Sequence, residues 1–65
     1  MSKTNCFSLI ERTVLNSDAI PTVKVFGARG TLLFEGSAME VPFRVCWHTV
    51  ESYDFVKHTL YIRLK

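Results

Sequence analysis

"VKVFGARGTLLFEGS", residues 23–37, decides the fold and contains all three glycines of the 65-residue chain. Both halves alternate apolar and polar residues and are rich in β-branched and aromatic side chains, which is typical of strands. Between them, Gly27–Gly30 predicts a four-residue hairpin loop that Gly30 closes with a positive φ. The glycine spacing matches neither GxGxxG nor GxxxxGK[ST], and no helix start follows, so we expect a hairpin and not a phosphate-binding loop.

The loop length predicts the register of the hairpin. A four-residue loop sets Val25 opposite Leu32 and Val23 opposite Phe34, which places four apolar side chains on one face. A three-residue loop would shift the pairing by one and destroy that face. We therefore predict the four-residue register.

Residues 5–15, "NCFSLIERTVL", fit a helix better than a strand. At about 100° per residue, five apolar side chains fall within one half of the helical wheel: Cys6, Phe7, Ile10, Val14 and Leu15. Strand alternation would give two mixed faces instead. Thr4 or Asn5 can cap the start. We therefore expect one N-terminal helix packed on the sheet.

A single helical turn is predicted after the hairpin, over residues 38–41. Ser37 and Glu40 stand at capping-box spacing, and Pro42 then stops helical hydrogen bonding. From 43 to 55 the odd positions are mostly apolar, the period of one strand or of two strands joined by a bend. A short helix over 43–48 stays open, because Pro42 can serve as its first residue.

The final segment, "TLYIRLK", alternates cleanly and predicts a closing strand. The fold class is therefore α+β, in one small domain over residues 1–65. It consists of a mainly antiparallel four-stranded sheet, one helix packed on one sheet face, and a one-turn helix between the strand pairs. The predicted core of the sheet comprises Val23, Val25, Leu32, Phe34, Leu60, Ile62 and Leu64.

This order of segments, with "LFEGSAMEVP" after the hairpin and "VESYDFVKHTLYIRL" at the end, resembles short uncharacterised proteins of phages and mobile elements of Gram-positive bacteria. Those proteins have a leucine-rich first helix, a V-x-V-aromatic hairpin, a turn ending in proline and a closing L-x-I strand. The resemblance covers most of the chain. It implies an accessory protein that binds a host or phage protein, with inhibition of that protein left open, and it brings no known activity and no catalytic residues.

Composition and charge set limits on compartment and partners. The chain is 48% hydrophobic, with a net charge of +2, two cysteines and no 18-residue apolar stretch. The first residues lack an apolar run, so we expect no signal peptide, and two cysteines are too few for a disulfide framework. We therefore expect a cytoplasmic protein with reduced thiols and no membrane association. The mildly basic charge permits contact with nucleic acid but does not favour it.

The candidate catalytic and metal-binding residues do not form a recognisable motif. Cys6, Cys46, His48 and His58 are the residue types that bind zinc, but no CxxC or HxxxH clusters them. Cys46 and His48 could also serve as a thiolate and its base, yet nothing indicates the electropositive surroundings such a thiolate needs. We expect no enzyme activity, no catalytic residue, no metal and no cofactor.

One predicted surface stands out. If the helix covers one sheet face, the opposite face carries an apolar cluster flanked by two cations: Lys24, Phe26, Leu33, Tyr61 and Arg63. Three readings stay open: scattered surface residues, a protein interface, or a stacking platform for single-stranded nucleic acid. The small basic surplus favours a protein interface. Because so short a chain buries little core, we expect a homodimer through this face, a protein target, or both.

Overall fold

The structure is a computed structural model that describes residues 5–65. Its elements are α1 (Cys6–Leu15), β1 (Thr22–Phe26), β2 (Leu32–Ser37), α2 (Phe43–Cys46), β3 (Val50–Val56) and β4 (Thr59–Leu64). A 3₁₀ turn at Ala38–Glu40 separates β2 from α2. Asn5 caps α1, since its side-chain oxygen accepts a 2.8 Å hydrogen bond from the Ser8 amide. Thr4, the alternative cap, lies outside the described residues.

The four strands form a mixed sheet in the order β2-β1-β4-β3. The outer pairs are antiparallel hairpins, whereas β1 and β4 in the centre run parallel. The prediction of a mainly antiparallel sheet therefore needs correction at its centre. Alternation along a strand reports which face is buried and not which way its neighbour runs, so the parallel pairing was invisible in the sequence.

The core lies between α1 and the sheet and uses a narrower helical stripe than predicted. Three α1 side chains are buried against the central strands, namely Cys6, Leu9 and Ile10. These positions follow the spacing at which one helix face meets a sheet. That orientation turns Phe7 to the side and leaves Leu15 in solvent. Of the five apolar side chains predicted on one half of the wheel, Phe7 and Leu15 therefore lie outside the buried stripe, whereas Leu9, which was not among the five, lies within it.

The hairpin loop agrees with the prediction in its closing glycine but not in its length. The Gly27 amide bonds to Thr31 and Phe26 lies opposite Leu32, so the loop has three residues, 28–30, and the prediction of four was wrong. Gly30 has a φ of +85°, in the left-handed region that favours glycine. The Gly27 amide donates to the Thr31 carbonyl at 2.8 Å, and the Gly30 amide donates to the Gly27 carbonyl at 2.9 Å. These two bonds close the loop.

The register of the hairpin differs from the prediction by two residues. Val25 lies opposite Phe34, and Val23 lies opposite Gly36. A slip of two preserves the alternation of faces, so Phe34 still packs against the core.

The shorter loop accounts for one residue of this shift, and a bulge in β2 accounts for the other. Directly after the Val25 pair, Phe26 lies opposite Leu32, so Leu33 has no partner on β1. The extra residue moves Leu32 onto the face of Phe26, away from the core, and leaves its side chain about half exposed. Leu32 was therefore wrongly placed in the core.

The segment between the hairpins is helical. The Ser37 hydroxyl accepts a 3.2 Å hydrogen bond from the Met39 amide and caps the 3₁₀ turn at Ala38–Glu40. The open alternative for residues 43–48 is resolved in favour of a short helix, because α2 follows Pro42 directly and buries Val45 and Cys46.

Candidate functional site

Four of the five predicted interface residues share one sheet face. The parallel pairing of β1 with β4 sets Lys24 beside Tyr61 and Phe26 beside Arg63. These side chains point away from α1, and we call this side of the sheet the outer face. Leu33, the fifth residue, occupies the bulge and is about half exposed.

Polar contacts within the chain hold both cations of the outer face. The Lys24 ammonium lies 3.5 Å from a Glu35 carboxylate oxygen and 5.7 Å from the centre of the Tyr61 ring. The Arg63 guanidinium donates to the Ala28 carbonyl in the hairpin loop at 3.3 Å. The two cations thus have partners that a ligand would have to replace.

Carboxylates balance the charge of the outer face. Glu35 lies opposite Lys24 on β2, and Asp54 lies opposite Tyr61 on β3. Two anions therefore accompany the two cations on adjacent strands. A platform for single-stranded nucleic acid combines stacking rings with a positive groove, and this arrangement lacks the positive excess.

A second apolar surface lies on the helical side and was not predicted as a site. We call it the aromatic cluster; it consists of Phe7 from α1, Phe43 from α2 and Trp47 directly after α2. The Phe7 and Trp47 rings stack with centres 6.3 Å apart, and Phe43 meets Trp47 edge to face at 5.2 Å. Phe43 is 71%, Trp47 58% and Phe7 45% exposed. The rings therefore contact one another while most of their combined surface faces solvent.

Local sequence explains how the aromatic cluster forms. Pro42 precedes α2 with a φ of −60°, and Val45 and Cys46 then turn inward. Phe43 and Trp47 are four residues apart, so they lie on the same outward side of the helical turn. The Cys6 amide donates to the His48 carbonyl at 2.9 Å, which brings the start of α1 beside the end of α2.

A groove of about 330 Å³ runs along α1 beside the aromatic cluster. We call it the Glu11 groove. Its lining is Phe7, Ile10, Glu11, Ala38, Val41, Phe43 and Cys46. Among these described residues Glu11 carries the one charged side chain. The groove is therefore apolar with a single carboxylate at its edge, the composition of a surface that selects an apolar group next to a cation.

A second groove, of about 280 Å³, lies between α1 and β3. We call it the Arg12 groove, and it is lined by Leu9, Arg12, Thr13, Asn16, Ser17, Tyr53 and Phe55. The hydroxyls of Thr13 and Ser17 donate to α1 carbonyls at 2.8 Å and are thereby satisfied. The two grooves beside α1 thus carry charges of opposite sign.

The two cysteines are poor nucleophiles in this fold. Both are free thiols and both are buried. Burial raises the pKa of the Cys6 thiol to about 11, with a smaller contribution from nearby Cys46. Burial also raises the pKa of Cys46, whose sulfur lies 3.9 Å from the Val41 carbonyl oxygen. A thiolate is the reactive form, so these environments suppress thiol chemistry at neutral pH.

Metal-ligating residues are dispersed in the described part of the chain. Within residues 5–65, no three His, Cys, Asp or Glu side chains come close enough together to hold an ion. His58 lies instead in the tight β3–β4 turn, 6.3 Å from the Phe55 ring.

The aromatic cluster was missed because residues 43–55 alternate. That alternation favoured a strand, in which Phe43 and Trp47 would be separate members of a long apolar face. The signal that indicates the cluster is Pro42 followed by an aromatic residue at the first position of a short helix and another directly after it.

Over residues 5–65, neither helix has the length and apolar character needed to cross a bilayer. Comparisons of this chain with family models, with curated proteins and with solved structures give no match.

Proposed function

We propose that this chain is a non-enzymatic protein-binding module and that the aromatic cluster is its principal contact surface. The observation that carries the proposal is the mutual packing of Phe7, Phe43 and Trp47 at high exposure. Tryptophan and other large aromatic side chains dominate the binding energy of protein interfaces, and they act best as a preorganised group. Contact between the rings fixes their orientation before a partner arrives.

The size of the aromatic cluster supports its role as a protein-binding surface. At about 200 Å² per aromatic side chain, the three exposed fractions amount to roughly 350 Å² of ring surface. Contiguous apolar patches of about 300–600 Å² on small proteins are often functional. The buried thiols, with their raised pKa values, support binding as the role and not catalysis.

Self-association through the outer face is the second candidate. A two-fold axis parallel to the strands, between β1 and β4, would set β1 of one copy over β4 of the other in the same direction. Because Lys24 is level with Tyr61 and Phe26 with Arg63, each cation would then meet an aromatic ring of the second copy. The same axis places carboxylates over carboxylates at the rim, where they stay hydrated.

The resemblance to phage and mobile-element proteins supports a host or phage protein as the partner. The two free thiols support a cytoplasmic setting. Single-stranded nucleic acid on the outer face is the competing ligand class. Nucleic acid needs a surface with excess positive charge, and the outer face lacks one because Glu35 and Asp54 lie beside its cations.

The experiment that tests the proposal selects peptides from a random display library on the immobilised chain. Their dissociation constants are then measured for the wild type, for Phe43→Ser and for the matched control Leu33→Ser on the outer-face bulge. We expect Phe43→Ser to weaken binding at least 10-fold and Leu33→Ser to leave it within twofold. Weaker binding by Leu33→Ser than by Phe43→Ser would contradict the proposal. It would also be contradicted if single-stranded oligonucleotides bound with micromolar dissociation constants while Phe43→Ser left peptide binding unchanged.

A further inference from the structure

We infer that the Glu11 groove binds one amphipathic α-helix of another protein, with a lysine or arginine beside the apolar stripe of that helix. The inference rests on the proposed function and names the partner class for the same surface. Three observations support it: the shape of the groove, its charge, and the lack of a suitable helix in a second copy of residues 5–65.

The groove has the form of a helix-binding site. One wall is the side of α1 that carries Phe7, Ile10 and Glu11, at the spacing of a helix face, and the other wall belongs to residues 38–46. The ten residues of α1 extend for about 15 Å, the length of nearly three helical turns. An amphipathic helix laid along α1 would place apolar side chains three and four residues apart into the groove.

The charge of the groove requires a cation in the partner. Glu11 is the charged lining residue, and the ion pair found within residues 5–65 is Lys24 with Glu35, on the far side of the sheet. A helix that covers the groove removes water from the Glu11 carboxylate. An unpaired buried carboxylate is costly, so a helix with a cation at this point is preferred over one without.

A second copy of this chain is a poor occupant. The apolar side chains of α1 are already buried in the core, and α2 has only four residues. Residues 5–65 therefore offer no helix with a free apolar face that could enter the groove of another copy. The aromatic cluster exposes roughly 350 Å² of ring surface at about 200 Å² per side chain. A stable dimer buries about 800 Å² per partner. The area fits a helical segment better than a folded copy.

The neighbouring Arg12 groove makes the charge preference testable. Arg12, the residue after Glu11 in α1, lines the other groove, so an acidic helix is drawn there. Trp47 is the one tryptophan of the chain and belongs to the aromatic cluster. Trp47 contacts Phe7 and Phe43, which line the Glu11 groove and not the Arg12 groove, so a helix seated on the Glu11 groove should change its emission.

The probes are three synthetic helical peptides that lack aromatic residues. The first has leucines at the helix-face spacing with flanking lysines, the second has glutamates in place of the lysines, and the third is a scrambled form of the first. We expect the lysine peptide to shift Trp47 emission to shorter wavelength in a saturable way. The glutamate and scrambled peptides should bind at least 10-fold more weakly by this signal. The net charge of +2 works against that order, so a lysine preference reports a local carboxylate.

Two charge variants complete the test. Glu11→Lys should reverse the preference between the lysine and glutamate peptides, and Glu51→Lys on β3, an equal change of charge outside the groove, should leave it intact. Equal binding of the three peptides, a silent Trp47 signal, or a preference unchanged by Glu11→Lys would overturn the helix inference. If display-selected peptides still depend on Phe43 in that case, the proposed function survives; if Phe43→Ser changes no binding, the proposed function fails instead.

Discussion

The outer face and the aromatic cluster both present aromatic rings to solvent, but they differ in what holds those rings. On the outer face, Tyr61 is 38% exposed and lies beneath the Lys24 ammonium, which also contacts Glu35. In the aromatic cluster, Trp47 is 58% exposed and its aromatic contacts are Phe7 and Phe43. The first surface is engaged in contacts of its own chain, and the second has contact surface left for a partner.

The difference follows from local structure. Neighbouring strands impose a side-chain partner on either side of each residue, so cations, carboxylates and rings of a central strand satisfy one another. A four-residue helix such as α2 has few such neighbours. Its inward residues, Val45 and Cys46, anchor it, and its outward residues are left to solvent. Much of the ring surface at α2 is therefore not covered by other residues of the chain, and we take this uncovered surface as evidence for a binding site.

The largest expected effect tests whether the two surfaces depend on one core. Ile62 is 1% exposed and lies on β4 between Tyr61 and Arg63, facing α1. Ile62→Ala should lower the free energy of unfolding by about 2–5 kcal/mol, because it leaves a cavity in that core. Urea titrations followed by circular dichroism and by Trp47 fluorescence should still coincide. A Trp47 transition at clearly lower urea would show that the aromatic cluster unfolds separately from the sheet.

The second prediction concerns self-association through the outer face. Sedimentation at micromolar concentration should give the mass of a dimer, and Tyr61→Glu should raise its dissociation constant at least 10-fold. The cost arises because the substitution removes the ring that would pack in the contact and adds a carboxylate that must lose its water there, at about 1–3 kcal/mol. A monomer at every concentration, with Tyr61→Glu still folded, would contradict self-association through the outer face. The aromatic cluster would then be the remaining candidate surface.

The third prediction concerns the hairpin loop that supports one end of the outer face. Gly30→Val should lower the free energy of unfolding by about 1 kcal/mol or more, since a β-branched residue resists the φ of +85°. No atom lies within 4 Å of the added Cβ, so the cost is in the backbone and not in a clash. Arg29→Ala, one residue earlier, should change stability little. A larger loss from Arg29→Ala in thermal melts would contradict the loop assignment.

The fourth prediction, with the smallest effect, concerns the ion pair between Lys24 and Glu35 on the outer face. Glu35→Gln removes the ion pair with Lys24 but keeps the size of the side chain. Both partners are partly exposed, so we expect a loss of at most about 0.5 kcal/mol, reduced further by salt. Chemical denaturation at low and high salt measures it. A loss above about 2 kcal/mol would mean that this ion pair is a major element of the fold.

The sequence was sufficient for the parts of the fold that depend on local preference. The helix start at Asn5, the loop closed by Gly30 and the turn at Ala38–Glu40 each follow from residues close together in the chain. The parallel pairing of β1 with β4 was not predictable in this way, since it joins segments more than 30 residues apart whose alternation is the same in either direction.

The candidate site was predictable only in part. Lys24, Phe26, Tyr61 and Arg63 share a face because strand alternation survives any slip of two residues. The bulge at Leu33 depends on how two strands fit together, which no local pattern specifies. The aromatic cluster depends on residues 43–46 being helical, and their alternation favoured a strand.

The most direct measurement for the central claim is amide and indole chemical-shift mapping of the ¹⁵N-labelled chain with the tightest display-selected peptide. We expect the single Trp47 indole signal and the backbone amides of Phe7 and Phe43 to shift on titration, while the amides of Phe26 and Tyr61 stay in place. Shifts confined to Phe26 and Tyr61, with the Trp47 indole unmoved, would contradict that claim.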